Sequence, residues 1–591
     1  MPAYRTLLRL LGVAVLAAFF STSIHAETVL YAVGGDYKGF DPVESGDTES
    51  AMMVARVYEG LLEYDYLARP YRAIPRLAEA MPEISSDGLC YTFRLKKGVR
   101  FPDDPCFPGG KGREVTAEDF IYSFLRVLDP HLESEGDWIF VRHVLGAKEW
   151  MKKMGDAPAS ATYKETVPGF VAVDSHTLRI QLVKPYPQLK WVLTMPYAFA
   201  VPHEAVTYYG EKFREHTVGT GPYRLKSWRR RYRTELVRNP FFSGQKYPSE
   251  GAPGDREAGL LEDAGKALPL VDRIVNYDMD EYYTLWQMFL AGEIYSSGLN
   301  KDYFEKAITP QLGLSDDLKK RGVRLYKTPE MSTWYIGFNM KDSVVGSSAD
   351  PVTNEKHKKL RQAFACALDQ AKLCEVIYND RYIPANSPIP PNVPEHSEQS
   401  YVYQFDVARA KRLLAEAGYP DGKDAQGKRL RLAMIMPGAG STDARQEAEF
   451  FADYLRAIGV ELDVQQLSFT EYLRREHDGI TQVFHAGWIA DYPDGENFLK
   501  LFFSLNKCPG VNSANYENPA FDKLYEQAVV MPESPERTAL YEKMAALVME
   551  DCPWALLNYP LTYGLYQPWF QNYKPHEFPY ANSKFYKVLP H

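Results

Sequence analysis

Cysteine is scarce in this sequence: there are six in 591 residues, and no two of them form a C-x-x-C pair. Zinc sites and thiol-redox sites usually place their cysteines at that close spacing, so the spacing argues against both kinds of site. Two disulfides stay open as alternatives to six free, buried thiols. Cys90 and Cys106 flank a predicted strand and turn, and Cys508 with Cys552 is the second combination. An oxidising compartment would permit either bridge.

Motifs of common enzyme classes are also missing. The chain has no G-x-x-x-x-G-K-[ST] phosphate loop, no H-E-x-x-H and no G-x-S-x-G. Gly219-Thr220-Gly221 lacks the third glycine of a dinucleotide site and runs directly into Pro222. The twelve histidines include no i, i+4 pair of the kind that holds a metal ion. We therefore predict a protein without catalytic residues, bound metal or cofactor.

The chain also lacks an excess of positive charge. Its formal net charge is -9, whereas binding to a phosphate backbone needs clustered lysine and arginine. Nucleic acid is therefore excluded as the main partner. One basic segment, with arginines at 229, 230, 231 and 233, predicts an exposed strand face or hairpin. Contact with partners at a membrane is the alternative for that segment.

Long apolar runs are confined to the amino terminus. Arg5 and Arg9 precede an apolar run from Leu10 to Phe20, and small polar residues lead to a predicted cleavage site after Ala26. This is the pattern of a signal peptide, and the run is too short for a membrane-spanning helix. No cysteine stands at the cleavage site, so we predict a periplasmic protein without a lipid anchor.

The length of the chain predicts several structural units, because single hydrophobic cores stop growing near 250–300 residues. Three segments rich in polar residues, glycine or proline predict surface loops: 151–168, 243–269 and 384–397. Aromatic residues are abundant, with 41 Tyr, 30 Phe and 9 Trp. Most of them are expected in cores, and a minority would suit the walls of a cleft.

Residues 429–490 have the clearest pattern of secondary structure. Apolar runs and alternation predict strands at 430–436, 460–465 and 481–490, and helical periodicity predicts helices at 443–458 and 469–477. This βαβαβ order predicts parallel strands with right-handed crossovers. A further helix is predicted from Val407 to Ala417, capped by Asp406 and closed by Gly418.

Ligands of such sheets bind beyond the carboxyl ends of the strands. That rule nominates Phe469, Asp491, Tyr492 and Asp494 as residues of a cleft. The alternative is ordinary turn chemistry, because Asp, Pro and Gly form turns without any ligand.

A series of short motifs in chain order resembles the peptide- and nickel-type solute-binding proteins of bacterial ABC importers, the extracellular solute-binding proteins of family 5. The resemblance covers nearly the whole chain after residue 26. Its motifs are F-D-P at 40–42, V-Y-E-G-L-L at 57–62, Y-T-F-R-L at 91–95, V-T-A-E-D-F at 115–120, G-T-G-P-Y at 219–223, N-P-F-F at 239–242, A-G-E at 291–293, L-R-Q-A-F at 360–364, A-G-W at 486–488 and N-P-A-F-D at 518–522.

The resemblance implies an α/β fold of the bilobed, periplasmic-binding-protein-like type (type II, cluster C), a clamshell with discontinuous domains and mixed sheets. Lobe 1 would contain domain I, from residues 27–56, 168–331 and 555–591, and an accessory domain II, from residues 57–167. Lobe 2 would be a single domain III at 332–554. Closure of the two lobes would enclose the ligand.

The resemblance also implies site residues. Family members that bind oligopeptides carry an aspartate just after a G-W-x-A motif, where it pairs with the α-amino group of the peptide. Asp491 matches that position, after Gly487-Trp488-Ile489-Ala490. Trp488 matches a tryptophan of their cleft, and Phe469 stands where they carry a second one. Tyr492 and, from lobe 1, Trp138 are the further candidates for the cleft wall.

Four positions depart from the oligopeptide-binding pattern. His485 and Glu476 stand where those proteins carry arginines associated with the carboxylate end of the peptide. Ser332 and Ile489 stand where enteric members carry paired cysteines. We keep His485 as a candidate ligand residue, and the departures leave the capture of a peptide carboxylate in question. Residues 243–269 have no counterpart in the pattern.

The resulting prediction is the periplasmic substrate-binding component of an ABC importer. It would act as a monomer, bind a short peptide and deliver it to the permease subunits in the membrane. One alternative keeps the fold and changes the solute to a metal chelate, an opine or an oligosaccharide. A remote alternative is an exported hydrolase or a holdase that uses the same cleft.

Overall fold

The structure is a computed structural model that describes residues 27–158, 163, 165–242, 244–279, 281–299, 301–399 and 403–591. The predicted signal peptide lies outside the described residues. Within them, no helix combines the length and the apolar character that crossing a membrane requires.

The described strands range from two residues to the thirteen of β18. In chain order they are β1 Val29–Gly34, β2 Leu62–Tyr64, β3 Ala73–Pro75, β4 Glu83–Ile84, β5 Cys90–Arg94, β6 Phe170–Asp174, β7 Thr177–Gln181, β8 Tyr223–Arg229, β9 Arg233–Arg238, β10 Arg273–Asp278, β11 Ser296–Gly298, β12 Arg324–Pro329, β13 Ser332–Phe338, β14 Tyr382–Pro384, β15 Arg431–Pro437, β16 Glu461–Leu467, β17 Val483–Ile489, β18 Trp554–Tyr566, β19 Phe570–Gln571 and β20 Lys587–Val588.

The described helices include several of only one turn. In chain order they are α1 Thr48–Ala55, α2 Ala117–Leu128, α3 Trp138–Val141, α4 Ala147–Gly155, α5 Leu189–Val192, α6 His203–Tyr209, α7 Tyr282–Leu290, α8 Lys301–Ala307, α9 Asp316–Lys320, α10 Pro351–Ala367, α11 Gln370–Val376, α12 Val407–Glu416, α13 Thr442–Arg456, α14 Phe469–His477, α15 Glu496–Leu499, α16 Pro519–Ala528 and α17 Pro535–Asp551.

Lobe 1 contains two four-stranded sheets. One has the order β1-β10-β9-β8, in which β1 and β10 are parallel and the other pairs antiparallel. The basic segment forms the turn between β8 and β9, which confirms the predicted hairpin. The second sheet has the order β4-β5-β7-β6 and is antiparallel.

The second sheet corrects the predicted end of the accessory domain. The prediction places residues after 167 in domain I, but β7 pairs with β5 of the accessory unit, and β6 pairs with β7. Strand pairing therefore extends this unit to Gln181. The reason is that the partners are about 80 residues apart in the chain, so no local pattern marks their association.

Lobe 2 contains the predicted βαβαβ unit. β15 is parallel to both β16 and β17, with α13 and α14 as the crossovers, so the predicted order and direction are confirmed. Ser441 is the N-cap of α13: its hydroxyl accepts a hydrogen bond from the N–H of Ala444. Asp406 caps α12 as predicted, with its carboxylate accepting from the N–H of Arg409.

β18 joins the lobes because its two halves pair with different strands. Its first half, from Trp554 to Asn558, pairs with β13 of lobe 2, and its second half, from Leu561 to Tyr566, pairs with β12 of lobe 1. β12 and β13 are themselves separated by only Glu330 and Met331. The predicted boundary at 554/555 therefore falls at the start of a shared strand, and the change of partner occurs near residue 560.

The two faces of the lobe 2 sheet are buried against different parts of the molecule. On one face, Ile336 and Val483 pack with Phe451 and Leu455 of α13 in an apolar cluster of lobe 2. The opposite face carries Tyr335, Phe484 and Trp554, which belong to the large cluster that continues into lobe 1. The second face is therefore the one that meets the interface between the lobes.

The structure corrects the cysteine and loop predictions. All six cysteines are free thiols, so neither predicted disulfide is formed. Residues 151–155 complete α4 and are not part of a loop. The segment 244–269 lacks helices and strands as predicted, but it is anchored through buried carboxylates: Asp255 pairs with Lys574 at 2.7 Å, and Asp263 pairs with Lys587 at 3.0 Å.

Candidate functional site

Asp491 lies just beyond the carboxyl end of β17, in the turn that leads to α15. Its Oδ2 accepts a hydrogen bond from Nδ2 of Asn497 at 2.9 Å, and its N–H donates to Oδ1 of Asn497 at 3.1 Å. The same Oδ1 accepts a hydrogen bond from Nε1 of Trp488 at 2.8 Å. Because Asn497 is fully buried, it ties the end of the strand to the helix and holds Asp491 at the edge of the sheet.

Lys500 completes this arrangement. Its Nζ lies 2.9 Å from Oδ2 of Asp491. It also lies 5.3 Å from the ring centroid of Trp138, 5.2 Å from that of Trp488 and 5.4 Å from that of Tyr492. A lysine ammonium at such distances from aromatic faces is stabilised by cation–π attraction. The aspartate, the lysine and the three rings therefore form one compact polar and aromatic cluster, which we call the 491 cluster.

Four of the seven predicted site residues belong to the 491 cluster. Trp138 begins α3 in lobe 1, and its ring centroid lies 6.5 Å from that of Tyr492 in lobe 2. Tyr492 is buried, and its hydroxyl donates to Oε2 of Glu496 at 2.5 Å. The carboxylate of Asp491 retains 34% of its side-chain exposure. The predicted cleft residues thus meet at the interface of the two lobes, with one carboxylate still accessible.

Asp494 has a structural role, which corrects its nomination as a cleft residue. It is buried, and its Oδ2 lies 2.9 Å from Nη1 of Arg537. Nη2 of the same arginine lies 2.5 Å from Oε1 of Glu395. From lobe 1, Nε2 of Gln188 approaches Oδ2 of Asp494 at 3.5 Å. The ion pair with Arg537 therefore accounts for the burial of Asp494 without a ligand.

β17 has an unpaired edge next to Asp491. β13 pairs with β17 along its whole length, whereas β15 pairs only with Val483 and Phe484. Over 485–489, the second edge of β17 has no strand partner among the described residues. An unpaired edge presents main-chain N–H and C=O groups that an extended peptide can pair with. Gly487 is exposed there, and a Cβ at this position would come within 2.7 Å of the indole of Trp334.

The structure does not bring His485 to the 491 cluster. Side chains three residues apart on a strand point to opposite faces, so His485 faces α13 while Trp488 faces lobe 1. Its ring is buried between Phe451 and Trp334, at centroid distances of 5.8 Å and 5.5 Å. Burial lowers the pKa of His485 to about 4. Its Nε2 is 4.0 Å from the carboxyl of Glu447, whose pKa burial raises to about 8.

Replacing His485 by leucine is expected to stabilise the protein. Neither ring nitrogen has a hydrogen-bond partner among the described residues, and an unpartnered buried polar group costs about 1–3 kcal/mol. Differential scanning calorimetry should therefore show a higher melting temperature. Because the imidazole is only 3% exposed, the Kd for a bound solute should stay within about twofold of the original value. A large rise in Kd would instead assign His485 to the ligand.

Phe469 stands at the predicted edge of the sheet, outside the 491 cluster. It is the first residue of α14 and follows the carboxyl end of β16. Its side chain is 65% exposed, and no ring contact joins it to the cluster in the part of the chain that the structure describes. Its role in ligand binding stays a prediction.

Sequence reasoning missed Asn497, Lys500 and Trp334. Lys500 had a readable signal, because it is the single charge in the apolar run from Phe498 to Phe503, and a charged residue in such a run is buried only when it is paired. Asn497 and Trp334 had no such signal, since their roles depend on how the turn after β17 and the strand β13 pack.

The described residues contain no group of three or more His, Cys, Asp or Glu side chains that could hold a metal ion.

Comparison with known proteins confirms the resemblance and the fold class. The family model described as "Bacterial extracellular solute-binding proteins, family 5 Middle" matches residues 72–508. The chain is 25% identical over 576 residues to heme-binding protein A of Haemophilus influenzae, covering 95% of this chain and 92% of that protein. It is 25% identical over 569 residues to the periplasmic oligopeptide-binding protein OppA of Escherichia coli K12, covering 93% and 90%.

Solved structures show the same fold. The periplasmic binding protein DppA from Helicobacter pylori, in complex with the peptide STSA, superposes with a TM-score of 0.69 at 22% sequence identity. The superposition covers 95% of this chain and 98% of that one.

Proposed function

The chain belongs to the bacterial extracellular solute-binding proteins of family 5, and we propose that it binds short peptides between its two lobes for an ABC importer. In this role it is the substrate-binding component that delivers its ligand to a membrane permease. Its curated relatives include the oligopeptide-binding protein OppA and the dipeptide-binding protein of Escherichia coli, whose names describe binding proteins.

The unpaired edge of β17, which leads directly to Asp491, is the observation that carries this proposal. A peptide laid along residues 485–489 gains main-chain hydrogen bonds whatever its side chains are. Such binding tolerates many sequences, because every peptide offers the same N–H and C=O groups. An extended ligand on this edge would reach the 491 cluster with one of its ends.

Asp491 is the proposed partner of the peptide's α-amino group. An ammonium that enters a closed cleft loses its hydration, and a carboxylate must replace that water. Trp488, Tyr492 and Trp138 are proposed to line the space around the first residue of the peptide. Phe469 stays a candidate ligand residue from the family resemblance alone, whereas the ring of His485 is buried against Phe451 of α13, on the other face of β17.

Closure of the lobes is supported by polar contacts that already join them. Nη1 of Arg142 in lobe 1 lies 3.2 Å from Oδ1 of Asn506 in lobe 2, and Lys190 lies 2.5 Å from Glu533. The two covalent connections between the lobes run close together, at 330–331 and near residue 560. Such paired connections serve as a hinge in clamshell binding proteins.

We further propose that the protein is exported by a signal peptide cleaved after residue 26 and works as a monomer in the periplasm. A periplasmic site agrees with its family. The absence of enzyme motifs and the binding-protein names of its relatives support a role without catalysis.

Adding a mixed pool of peptides, three to five residues long, is expected to raise the melting temperature of the protein and to change its tryptophan fluorescence. A ligand at 100 times its Kd stabilises the folded protein by about 2.7 kcal/mol. The matched control is a pool of the same sequences with N-methylated amides, which cannot donate to the edge of β17 and should give a much smaller shift. No response to either pool would contradict peptide binding, and equal responses would contradict binding as an added strand.

A further inference from the structure

The ammonium group of Lys500 occupies a site whose side chains are suited to bind an ammonium ion. Its Nζ is paired with the carboxylate of Asp491 at 2.9 Å and lies within 5.4 Å of the ring centroids of Trp138, Trp488 and Tyr492. A carboxylate together with aromatic faces is the arrangement that proteins use to bind ammonium groups. The site that would receive a ligand amine is therefore already in contact with an internal one.

The other ionisable groups near Lys500 have partners of their own or are kept neutral by burial. Asp494 is paired with Arg537, and Glu496 accepts hydrogen bonds from two tyrosine hydroxyls. Burial raises the pKa of Glu496 and lowers the pKa of His143 to about 4. Among the described residues, Asp491 is the one carboxylate in ion-pair contact with Lys500. The accessible part of the site therefore has one negative and one positive charge.

Both members of this pair have unused hydrogen-bonding capacity. The described hydrogen bonds of the Asp491 carboxylate all go to Oδ2, which leaves Oδ1 available. An ammonium carries three donors, and the described hydrogen bonds of Lys500 use one of them. An incoming ligand can therefore place a cation at Oδ1 and an anion at Nζ.

We propose that Lys500 is a specificity-determining residue that favours peptides with an acidic first residue. This inference rests on the proposed function, with the peptide amine at Asp491. When the first residue of a peptide carries only its α-ammonium, that ammonium must share the carboxylate of Asp491 with Lys500. The positive charge of Lys500 then repels it. A first residue of Asp or Glu brings a second charge, which can pair with Lys500 while its ammonium pairs with Asp491.

The test compares Ala-Ala-Ala with Glu-Ala-Ala on the original protein and on Lys500→Met, by isothermal titration calorimetry. We expect the original protein to bind Glu-Ala-Ala at least tenfold more tightly. In Lys500→Met the ratio of the two Kd values should fall by at least tenfold, because Ala-Ala-Ala binds more tightly and Glu-Ala-Ala loses its partner. Lys500→Arg keeps the charge and should keep the preference. Lys523→Met, on the exposed side of α16, is the matched control and should leave the ratio unchanged.

The outcomes separate the two proposals. If the original protein binds both peptides and Lys500→Met does not change the ratio, the role of Lys500 is overturned and peptide binding stands. If neither peptide binds the original protein or any variant, peptide binding is overturned and the role of Lys500 with it. Should Lys500→Met fail to fold, Lys500→Gln keeps the polar character and removes the charge, and the same ratio decides.

Discussion

Replacing Asp491 by asparagine is expected to weaken the binding of peptides with a free amino terminus by about 30-fold to several thousand-fold. This corresponds to the 2–5 kcal/mol that is lost when one member of a desolvated charge pair is removed. The loss should lie in the upper part of that range, because the substitution also leaves Lys500 without its counter-ion at 2.9 Å. The ammonium of the ligand would then meet an unpaired positive charge in an aromatic site.

The diagnostic measurement for Asp491→Asn compares the change in Kd for peptides with a free amino terminus with the change for N-acetylated peptides. An acetylated peptide has no ammonium to lose, so its Kd should change by only a few-fold. The matched control is Asp463→Asn, an exposed aspartate on β16 that pairs with Arg431, which should leave both Kd values unchanged. Equal weakening of free and acetylated peptides would remove Asp491 from the role of amine partner.

A double variant, Asp491→Asn with Lys500→Met, separates the two charges of the site. If repulsion by Lys500 contributes to the weaker peptide binding of Asp491→Asn, the double variant should bind free-amine peptides more tightly than Asp491→Asn alone. The coupling energy between contacting residues is measured in this way without assuming that their effects add.

The βαβαβ unit of lobe 2 could be predicted because its signals are local. Alternation marks β16, glycines close the helices, and Asp406 stands directly before the apolar stripe of α12. Each signal spans fewer than about 20 residues, so it survives without knowledge of the tertiary structure. The rule that ligands bind beyond the carboxyl ends of such strands then led to Asp491.

Local signals do not show which distant segments of the chain pair with each other. The pairing of β5 with β7 joins residues about 80 positions apart, and the sharing of β18 between two lobes joins residues more than 200 positions apart. His485 is a different case. It is three residues from Trp488 in one strand, and the period of two already places the two side chains on opposite faces.

The two aspartates of A-D-Y-P-D-G have different surroundings. The first, Asp491, stays partly exposed beside Lys500, and the second, Asp494, is buried in an ion pair with Arg537. No local feature separates the two, because the difference depends on Arg537, which is more than 40 residues further along the chain.

Replacing Arg537 by methionine is expected to give the largest loss of stability. Its guanidinium is 1% exposed and lies between two buried carboxylates, those of Asp494 and Glu395. Removing the cation leaves both acids buried without a counter-ion, and breaking a buried pair in this way costs about 3–5 kcal/mol. Urea denaturation at pH 8, followed by tryptophan fluorescence, should show the loss. Arg412→Met, an exposed position on α12, is the matched control and should change stability by less than about 0.5 kcal/mol.

The loss in Arg537→Met should shrink as the pH falls. Burial, with the neighbouring Asp494, raises the pKa of Glu395 to about 7 even with the arginine present. A carboxyl whose pKa is raised on folding binds its proton more tightly in the folded state. Its contribution to stability is therefore complete below its unfolded pKa of about 4.3 and is lost as the pH rises through about 7. Without Arg537 the pKa rises further, so the variant gains more from protonation than the original protein does.

The difference in unfolding free energy between the original protein and Arg537→Met should therefore be smaller at pH 5 than at pH 8. A difference that is the same at both pH values would contradict the electrostatic explanation and point to lost packing of the arginine side chain instead. Because Asp494 stands in the same turn as Asp491, the variant should also disturb the segment that carries Asp491. Its affinity for free-amine peptides at pH 8 is thus expected to fall, whereas Arg412→Met should keep it.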